Sequence, residues 1–231
     1  MARLARILST ALITAAAIVL IDVGLTLAYQ EPVSSLYGAL KQRAASDELD
    51  RVNREFPSRA ELLRARQAAR AGGGPPTARE RRRAEVLASL FARRVDTGDV
   101  IGRLMAPTMG GLDTVALQGT DTATLQRGPG HYPDTSFPGQ TGTMAIAGHR
   151  TTYGAPFNEI AAVGRGDRIV LEMPYGTFRY RVTRTEIVTP DRVDVIDDVG
   201  YPQLVLSACH PLYSAAERYI VFARLAGFEL D

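Results

Sequence analysis

The chain has 231 residues and a mass of 25.0 kDa, with 45% hydrophobic and 23% charged residues. This composition is typical of a folded globular protein and excludes a collagen-like or wholly disordered chain. The single cysteine excludes an internal disulfide framework and any metal site built from several cysteines. The formal net charge is +2, but residues 97–231 carry eleven basic and fifteen acidic groups, so this segment is a poor candidate for nucleic-acid binding.

Residues 7–29 form an almost wholly apolar run that follows Arg3 and Arg6. About 20 helical residues span a bilayer core of roughly 30 Å, so the run predicts a transmembrane signal-anchor. The positive-inside rule then predicts a single-pass protein of the cell membrane. Residues 1–30 would contain its cytoplasmic tip and its anchor, and the rest of the chain would lie outside the cytoplasm. Asp22 opposes this assignment, and the alternatives are a cleaved signal peptide or a buried soluble helix.

Residues 31–96 are rich in Arg, Ala, Glu and Leu, a helix-forming composition with sparse apolar positions. Two short sequences fit capping boxes that begin helices: Ser58 with Glu61, and Thr77 with Glu80. The glycine- and proline-rich run 72–76 separates them. We interpret this segment as a charged, partly helical linker in solvent. The alternative is a basic spacer that binds anionic lipid or wall polymer.

Residues 97–231 have a different pattern, in which short β-branched runs alternate with Gly, Pro and Asp breaks. This spacing predicts a mostly β domain, folded as a largely antiparallel barrel or sandwich. The predicted strands are 100–104, 114–117, 144–147, 168–172, 178–189, 203–207 and 219–225. A short helix is predicted at 158–162.

The single thiol, Cys209, closes the apolar run 204–208 and is followed by His210 and Pro211. A strand that ends at this point places its last side chain at the rim of a sheet, where a loop can open a cleft. A free cysteine is usually a small buried hydrophobe, but an unpaired thiol in an oxidising compartment has to be shielded or used. Cys209 is therefore a candidate nucleophile, which would react as a thiolate.

Two histidines and one arginine are candidates to assist this thiolate. His210 is adjacent to Cys209, but neighbours on a strand point to opposite faces, so we do not expect it to meet the sulfur. His149 follows a predicted strand and could pair with the thiolate and protonate a leaving amine. Arg218 opens the last predicted strand, and a hairpin would bring it near Cys209 to hold an oxyanion. The alternatives are a surface role for His149 and a strand-end charge pair between Arg218 and Glu217.

Three motifs surround these candidates. Residues 146–157 read Ile-Ala-Gly-His-Arg-Thr-Thr-Tyr-Gly-Ala-Pro-Phe, residues 206–211 read Leu-Ser-Ala-Cys-His-Pro, and Arg218 follows nine residues after the cysteine. In type and order they resemble the histidine, cysteine and arginine motifs of the sortase family, and class E of actinobacteria is the most similar class. The resemblance covers about residues 100–225. One departure is that Val205 and Ala208 occupy the positions where the family usually has threonine.

The resemblance implies an eight-stranded sortase-like barrel and transpeptidation at a C-terminal sorting signal of a protein substrate. Cys209 would attack the Thr–Gly carbonyl of a Leu-Pro-x-Thr-Gly-like or Leu-Ala-x-Thr-Gly-like segment, His149 would protonate the departing amine, and Arg218 would hold the oxyanion. The acceptor would be an amine of a peptidoglycan precursor or of a pilin, and neither metal nor organic cofactor would be needed. Three further residues are expected at the substrate: Ala208, Tyr132 and Tyr153.

Other functions compete with this interpretation. The nearest is a sortase of another class, either class D or a pilus-polymerising type. A catalytically inactive, membrane-tethered β domain that binds peptide or wall is also open, because of the two threonine replacements. An L,D-transpeptidase is disfavoured because its usual Ser-His-Gly-Cys sequence is absent. The sequence does not separate transfer from hydrolysis, because both proceed through an acyl-enzyme.

Overall fold

The computed structural model describes the backbone of residues 2–29 and 32–231, and within them the side chains of residues 3, 6–21, 23–24 and 36–231. In this described part, four helices precede a closed barrel of eight strands. The helices are α1 (Ala2–Tyr29), α2 (Pro32–Glu55), α3 (Arg59–Ala71) and α4 (Pro76–Ala92). The strands are β1 (Val100–Ala106), β2 (Leu112–Gln118), β3 (Gly130–His131), β4 (Thr143–Ala147), β5 (Arg168–Met173), β6 (Gly176–Val188), β7 (Gln203–His210) and β8 (Glu217–Leu230), with the one-turn helix α5 (Thr122–Leu125) between β2 and β3.

The strands follow the order β1-β2-β3-β4-β7-β8-β6-β5 around the barrel, and β5 pairs with β1 to close it. The β2–β3 and β4–β7 pairs are parallel and the others are antiparallel, so the predicted largely antiparallel barrel is confirmed. All seven predicted strands are present. The sequence missed β3 because two residues are too few to show an alternating pattern. The predicted short helix is a 3₁₀ helix at Asn158–Ala162.

The strands bury both faces at the centre of the sheet. On β7, Leu204 and Leu206 point into the main core of the barrel, whereas Val205 packs into a second, smaller cluster on the outer face. The members of this outer cluster are Ala145, Val188, Val205, Ile220 and Phe222. Burial on both sides explains the unbroken apolar run at 204–206, because neither face of a central strand meets water.

The helices predicted within residues 31–96 are present as α2 to α4, but they pack onto the barrel instead of forming a linker in solvent. Phe56, Leu87 and Phe91 are fully or almost fully buried and belong to the same hydrophobic cluster as the barrel interior. The ring of Phe91 lies 5.7 Å from the ring of Tyr175. Apolar positions in these helices are sparse but sufficient, since a few aromatic side chains of this size bury a large area.

The two predicted helix starts have different outcomes. The capping box at Ser58 is present, because its side chain accepts from the backbone N–H of Glu61 and the Glu61 carboxylate accepts from the backbone N–H of Ser58. The capping box predicted at Thr77 is wrong, because α4 already begins at Pro76. Proline suits the first helical position, where its missing N–H is not needed.

Helix α2 docks on two segments of the barrel. The side-chain amide of Gln42 donates to the carbonyls of Val115 and Arg127 at 3.1 and 2.8 Å, and its oxygen accepts from the N–H of Val115 at 2.7 Å. Gly38 packs against the loop that follows β4, and a Cβ at this position would lie 2.8 Å from the carbonyl oxygen of Tyr153. Only glycine therefore permits this approach of helix to loop.

Helix α1 contains the run predicted to cross a membrane. Its described large apolar side chains are exposed, among them Leu12, Ile13 and Leu20. Among the residues that the structure describes, none of the helices meets both the length and the hydrophobicity expected of a membrane span. The side chains of Asp22 and residues 25–29, which belong to the predicted segment, lie outside the described part.

A buried histidine, His131, joins β3 to its neighbours. Its Nδ1 lies 2.7 Å from the Gln118 side-chain oxygen and its Nε2 lies 2.9 Å from the Thr135 hydroxyl. A neutral imidazole satisfies both contacts when Nδ1–H donates to Gln118 and Nε2 accepts from Thr135. Burial lowers the pKa of His131 from 6.5 to about 4.

We predict that His131 makes the fold acid-sensitive. The unfolded chain binds a proton at this site near pH 6.5 and the folded chain only near pH 4, so stability falls as pH decreases through this window. The loss by pH 4 should be about 3 kcal/mol, measured by denaturant unfolding at a series of pH values. His131→Gln should reduce this slope, and an unchanged slope would contradict the assignment.

Candidate active site

The hairpin predicted between the last two strands places Cys209 directly opposite Arg218. Strands β7 and β8 pair antiparallel, and Cys209 is the register partner of Arg218. Directly opposite residues of an antiparallel pair project from the same face, and here it is the outer face, which also carries the Val205–Phe222 pair. Cys209 is free and partly exposed, so the thiol is at the rim of the sheet as predicted.

The parallel pairing of β4 with β7 brings the histidine motif to the same end of the barrel. Ala147 pairs with Ser207, and the N–H of Gly148 donates to the Ser207 carbonyl at 3.0 Å, one residue beyond the end of β4. Continuing this register, the next residue, His149, reaches the level of Cys209. Three distant stretches of sequence therefore converge beside one strand end.

The loop after His149 folds back onto the backbone of His149. The N–H of Phe157 donates to the His149 carbonyl at 2.9 Å, and the fully buried Phe157 ring lies where a side chain at Gly148 would be. Tyr153 and Ala155 adopt positive φ angles of 52° and 44°, which are uncommon for residues other than glycine. This loop holds the imidazole in place at some conformational cost.

The imidazole of His149 is half-buried and contacts an aromatic ring. The ring centroids of His149 and Tyr153 are 5.2 Å apart, and on its other side Tyr153 makes an edge-on contact with Tyr37 of α2 at 6.4 Å. Burial lowers the pKa of His149 below its usual value, because the charged imidazolium loses solvation. The neutral form is therefore favoured in the free protein.

The guanidinium of Arg218 lies on the loop between β7 and β8. Its Nη1 donates to the carbonyls of Ala215 and Glu217, both at 2.9 Å. Among the described residues, no salt bridge joins Arg218 to the Glu217 carboxylate. A guanidinium has five N–H donors, so donors remain for a further acceptor next to Cys209.

Arg150 is a site residue that the sequence analysis missed. It is only 6% exposed, and its Nη1 lies 3.3 Å from the Cys209 carbonyl oxygen and 3.0 Å from His210 Nδ1. His210 therefore faces Arg150, and its ring also contacts that of Tyr219, which packs against the barrel core. This agrees with the expectation that His210 points away from the sulfur. The sequence offered one signal for a role of Arg150 in the site: it directly follows the candidate residue His149.

The three residues predicted at the substrate occupy different places. Tyr132 is partly buried and packs against the outer cluster, on the face that carries Cys209. Tyr153 lies beside His149. Ala208 is 3% exposed and belongs to the main core, so its side chain points into the barrel and only its backbone is near the thiol's face. The strand alternation accounts for this, because residues 208 and 209 project to opposite faces.

The outer cluster is a small second core on the face that carries Cys209, and its five members are at most 6% exposed. Val195 and Ile196, from a 3₁₀ helix in the β6–β7 connection, pack on it from one side, and Tyr132 packs on it as well. Val193 in the same connection is 70% exposed.

Among the described residues, no cluster of His, Cys, Asp or Glu could hold a metal ion.

Comparison with known proteins identifies similar chains. Residues 104–226 match the sortase domain family. The chain is 31% identical over 133 residues to sortase D of Bacillus subtilis, covering 56% of this chain and 65% of that protein. It is 30% identical over 155 residues to sortase SrtE2 of Streptomyces coelicolor, covering 58% of this chain and 59% of that protein. The match thus spans less than two thirds of the length of either relative.

Solved structures show the same similarity. The structure of sortase E from Streptomyces avermitilis has a TM-score of 0.54 and 33% identity, covering 58% of this chain and 93% of that one. Sortase E1 from Streptomyces coelicolor, solved with a tripeptide in its active site, has a TM-score of 0.55 and 26% identity, covering 58% of this chain and 91% of that one.

We predict that Tyr153→Ala raises the pKa of His149 toward its ordinary value. The ring of Tyr153 contributes to the burial that lowers this pKa, and its removal admits water to the imidazole. The titration midpoint, followed by NMR of the ring protons, should rise. Tyr201→Ala, which removes a ring stacked on Arg224 instead, is the matched control. An unchanged or lower midpoint in Tyr153→Ala would contradict the prediction.

Proposed function

Because this chain belongs to the sortase family of cysteine transpeptidases, we propose that it cleaves the Thr–Gly bond of a C-terminal sorting signal and transfers the protein to an amine acceptor of the cell wall. The observation that carries this proposal is the register of β7, which pairs Cys209 with Arg218 on one side and approaches His149 on the other. The signal would be of the Leu-Pro-x-Thr-Gly or Leu-Ala-x-Thr-Gly kind.

The first half-reaction begins with proton transfer from Cys209 to the neutral imidazole of His149. The thiolate then attacks the threonine carbonyl, a C–S bond forms, and the carbonyl oxygen becomes an oxyanion beside Arg218. When this intermediate collapses, the C–N bond breaks and the imidazolium of His149 gives its proton to the departing glycine amine. The product is a thioester on Cys209, with His149 again neutral.

The second half-reaction reverses these roles. The amine of a wall precursor attacks the thioester carbonyl, His149 removes the proton from that amine, and the C–S bond breaks to release the Cys209 thiolate. The lowered pKa of His149 supports this step, because a proton acceptor has to be neutral when the amine arrives. The same acyl-enzyme would react with water if no amine were present.

The two positions where the family usually has threonine present no side chain to a substrate. Val205 is 0% exposed within the outer cluster, and Ala208 is 3% exposed within the main core. A peptide would therefore be bound through the partly exposed groups at the strand end, among them Cys209 and Arg218.

Class E is the class we propose. It is supported by 33% identity to sortase E of Streptomyces avermitilis over 93% of that chain. Class D remains the second candidate, because sortase D of Bacillus subtilis is 31% identical over 133 residues. Paired peptides with proline or alanine at the second position would show which of the two proposed signals the chain prefers.

We also propose that residues 7–29 anchor the protein in the cell membrane, with the N-terminus in the cytoplasm. In support, nine large apolar side chains are exposed in the described part of α1: Ile7, Leu8, Leu12, Ile13, Ile18, Val19, Leu20, Ile21 and Val23. A soluble monomer rarely exposes so extended an apolar surface. Arg3 and Arg6 provide the positive charge expected on the cytoplasmic side.

We predict that deleting residues 1–31 releases the protein from membranes. The full chain, expressed in bacteria, should stay in the membrane pellet after alkaline carbonate washing, whereas residues 32–231 should be in the supernatant. Protease added outside intact spheroplasts should digest the barrel of the full chain. A full chain that washes off with carbonate would contradict the anchor.

We predict that turnover needs Cys209, His149 and Arg218 but not His210. Residues 32–231 would be incubated with a sorting-signal peptide and a small amine, and the Cys209 thioester and the amide product measured by mass spectrometry. Cys209→Ala should form neither. His149→Ala and Arg218→Ala should lower kcat about 10²- to 10³-fold, the usual effect of losing an acid–base group or an oxyanion donor. His210→Ala should lose much less.

The control for this series is Arg165→Ala, which removes an exposed arginine outside the three motifs. It should retain full turnover. Full activity in His149→Ala together with severe loss in His210→Ala would overturn the assignment of roles. The fragment begins at residue 32 so that it keeps all three helices that pack on the barrel, including α4 with its core residues Leu87 and Phe91.

A further inference from the structure

At the level of Cys209, a side-chain donor replaces the main-chain donor in the hydrogen-bond ladder between β4 and β7. Its last main-chain bond beyond β4 runs from the N–H of Gly148 to the Ser207 carbonyl. In a parallel pair the donors of one strand come two residues apart, so the next donor would be the N–H of residue 150 and its acceptor the Cys209 carbonyl. The side chain of Arg150 supplies a donor there instead, with Nη1 at 3.3 Å from that oxygen.

The same guanidinium also holds the segment that follows His149. Its Nε lies 3.4 Å from the Asn158 carbonyl oxygen, and the side-chain amide of Asn158 donates back to the Arg150 carbonyl at 2.8 Å. With the contact to His210 Nδ1 at 3.0 Å, one side chain bridges the loop that carries the imidazole and the strand that carries the thiol.

Burying this guanidinium costs solvation free energy, so Arg150 is not explained as a side chain that only fills space. Arg150 is 6% exposed, and no salt bridge between the described residues includes it. Its charge is therefore stabilised by neutral acceptors, chiefly two carbonyls and an imidazole nitrogen. An apolar side chain would fill the space at lower cost, whereas the fixed fork of a guanidinium can hold several acceptors in one plane.

We propose that Arg150 is a positioning residue, which clamps the backbone of Cys209 to the His149 loop and so keeps the imidazole within reach of the thiol. The guanidinium replaces the main-chain bond that the ladder would otherwise continue, and the backbone after His149 is free to turn into its loop. This inference rests on the proposed pairing of His149 with Cys209. Arg150 itself does not contact the substrate in this mechanism.

The test is a double-mutant cycle on thiol reactivity, which needs no peptide substrate. Cys209 is the single cysteine, so iodoacetamide labels one site: the thiolate attacks the methylene carbon, an S–C bond forms and iodide leaves. Rate constants at pH 7 would be measured by mass spectrometry for the full chain in detergent. The four proteins are the wild type, Arg150→Met, His149→Ala and the double variant.

If Arg150 acts through His149, Arg150→Met should slow labelling about tenfold when His149 is present and less than twofold in the His149→Ala background. Equal slowing in both backgrounds, or no slowing in either, would overturn the positioning role. Arg165→Met, at an exposed arginine, is the matched control and should label at the wild-type rate. Circular dichroism would establish that each variant is folded.

If Arg150→Met does not fold, the cycle is repeated with Arg150→Lys, which keeps the charge but lacks the fork. Loss of folding in both variants would assign Arg150 to the stability of the fold and overturn the proposal. Peptide transfer by the wild type is measured in parallel. A wild type that labels in a His149-dependent manner but transfers no peptide would contradict the proposed function, while the result for Arg150 would stand.

Discussion

The register of β7 is the constraint on which the proposed chemistry depends. This strand pairs in parallel with β4 and antiparallel with β8, so its final residues meet the histidine motif on one side and the arginine motif on the other. A shift of one residue in either pairing would turn the sulfur into the barrel and move the core leucines to the outer face. Burial of Leu204 and Leu206 therefore fixes the position of Cys209 as firmly as it stabilises the fold.

The structure gives two roles to segments that lie before the barrel in sequence. Phe56 and Phe91 enlarge the hydrophobic core, and Gln42 completes main-chain hydrogen bonds of β2 and of the turn that precedes β3. At the same time α2 supports the loop after β4 through the contact between Gly38 and Tyr153. The catalytic unit we propose thus includes the helices as well as the residues matched to the family.

Sequence alone predicted the strands and the proposed catalytic residues because both leave strong local signals. Alternating or unbroken apolar runs mark the strands, and a lone cysteine at the end of one of them is conspicuous. It did not predict the packing of α2 to α4, because five of the nine buried apolar side chains between residues 45 and 91 are alanines, which leave a weak hydrophobic signal. Nor did it predict Arg150, because an arginine in a loop normally points to solvent, and only the tertiary fold shows three acceptors around its guanidinium.

The close packing of Gly38 against the Tyr153 backbone holds α2 on the barrel, and this has a geometric consequence for the proposed membrane enzyme. Two positions separate the end of α1 at Tyr29 from the start of α2 at Pro32, and the three Cα–Cα steps between these residues span at most about 11 Å. Since α2 is held rigidly against the barrel, the thiol could not swing far from the lipid surface on a long tether. With the proposed anchor, the thiol would stay at a nearly constant height above the bilayer.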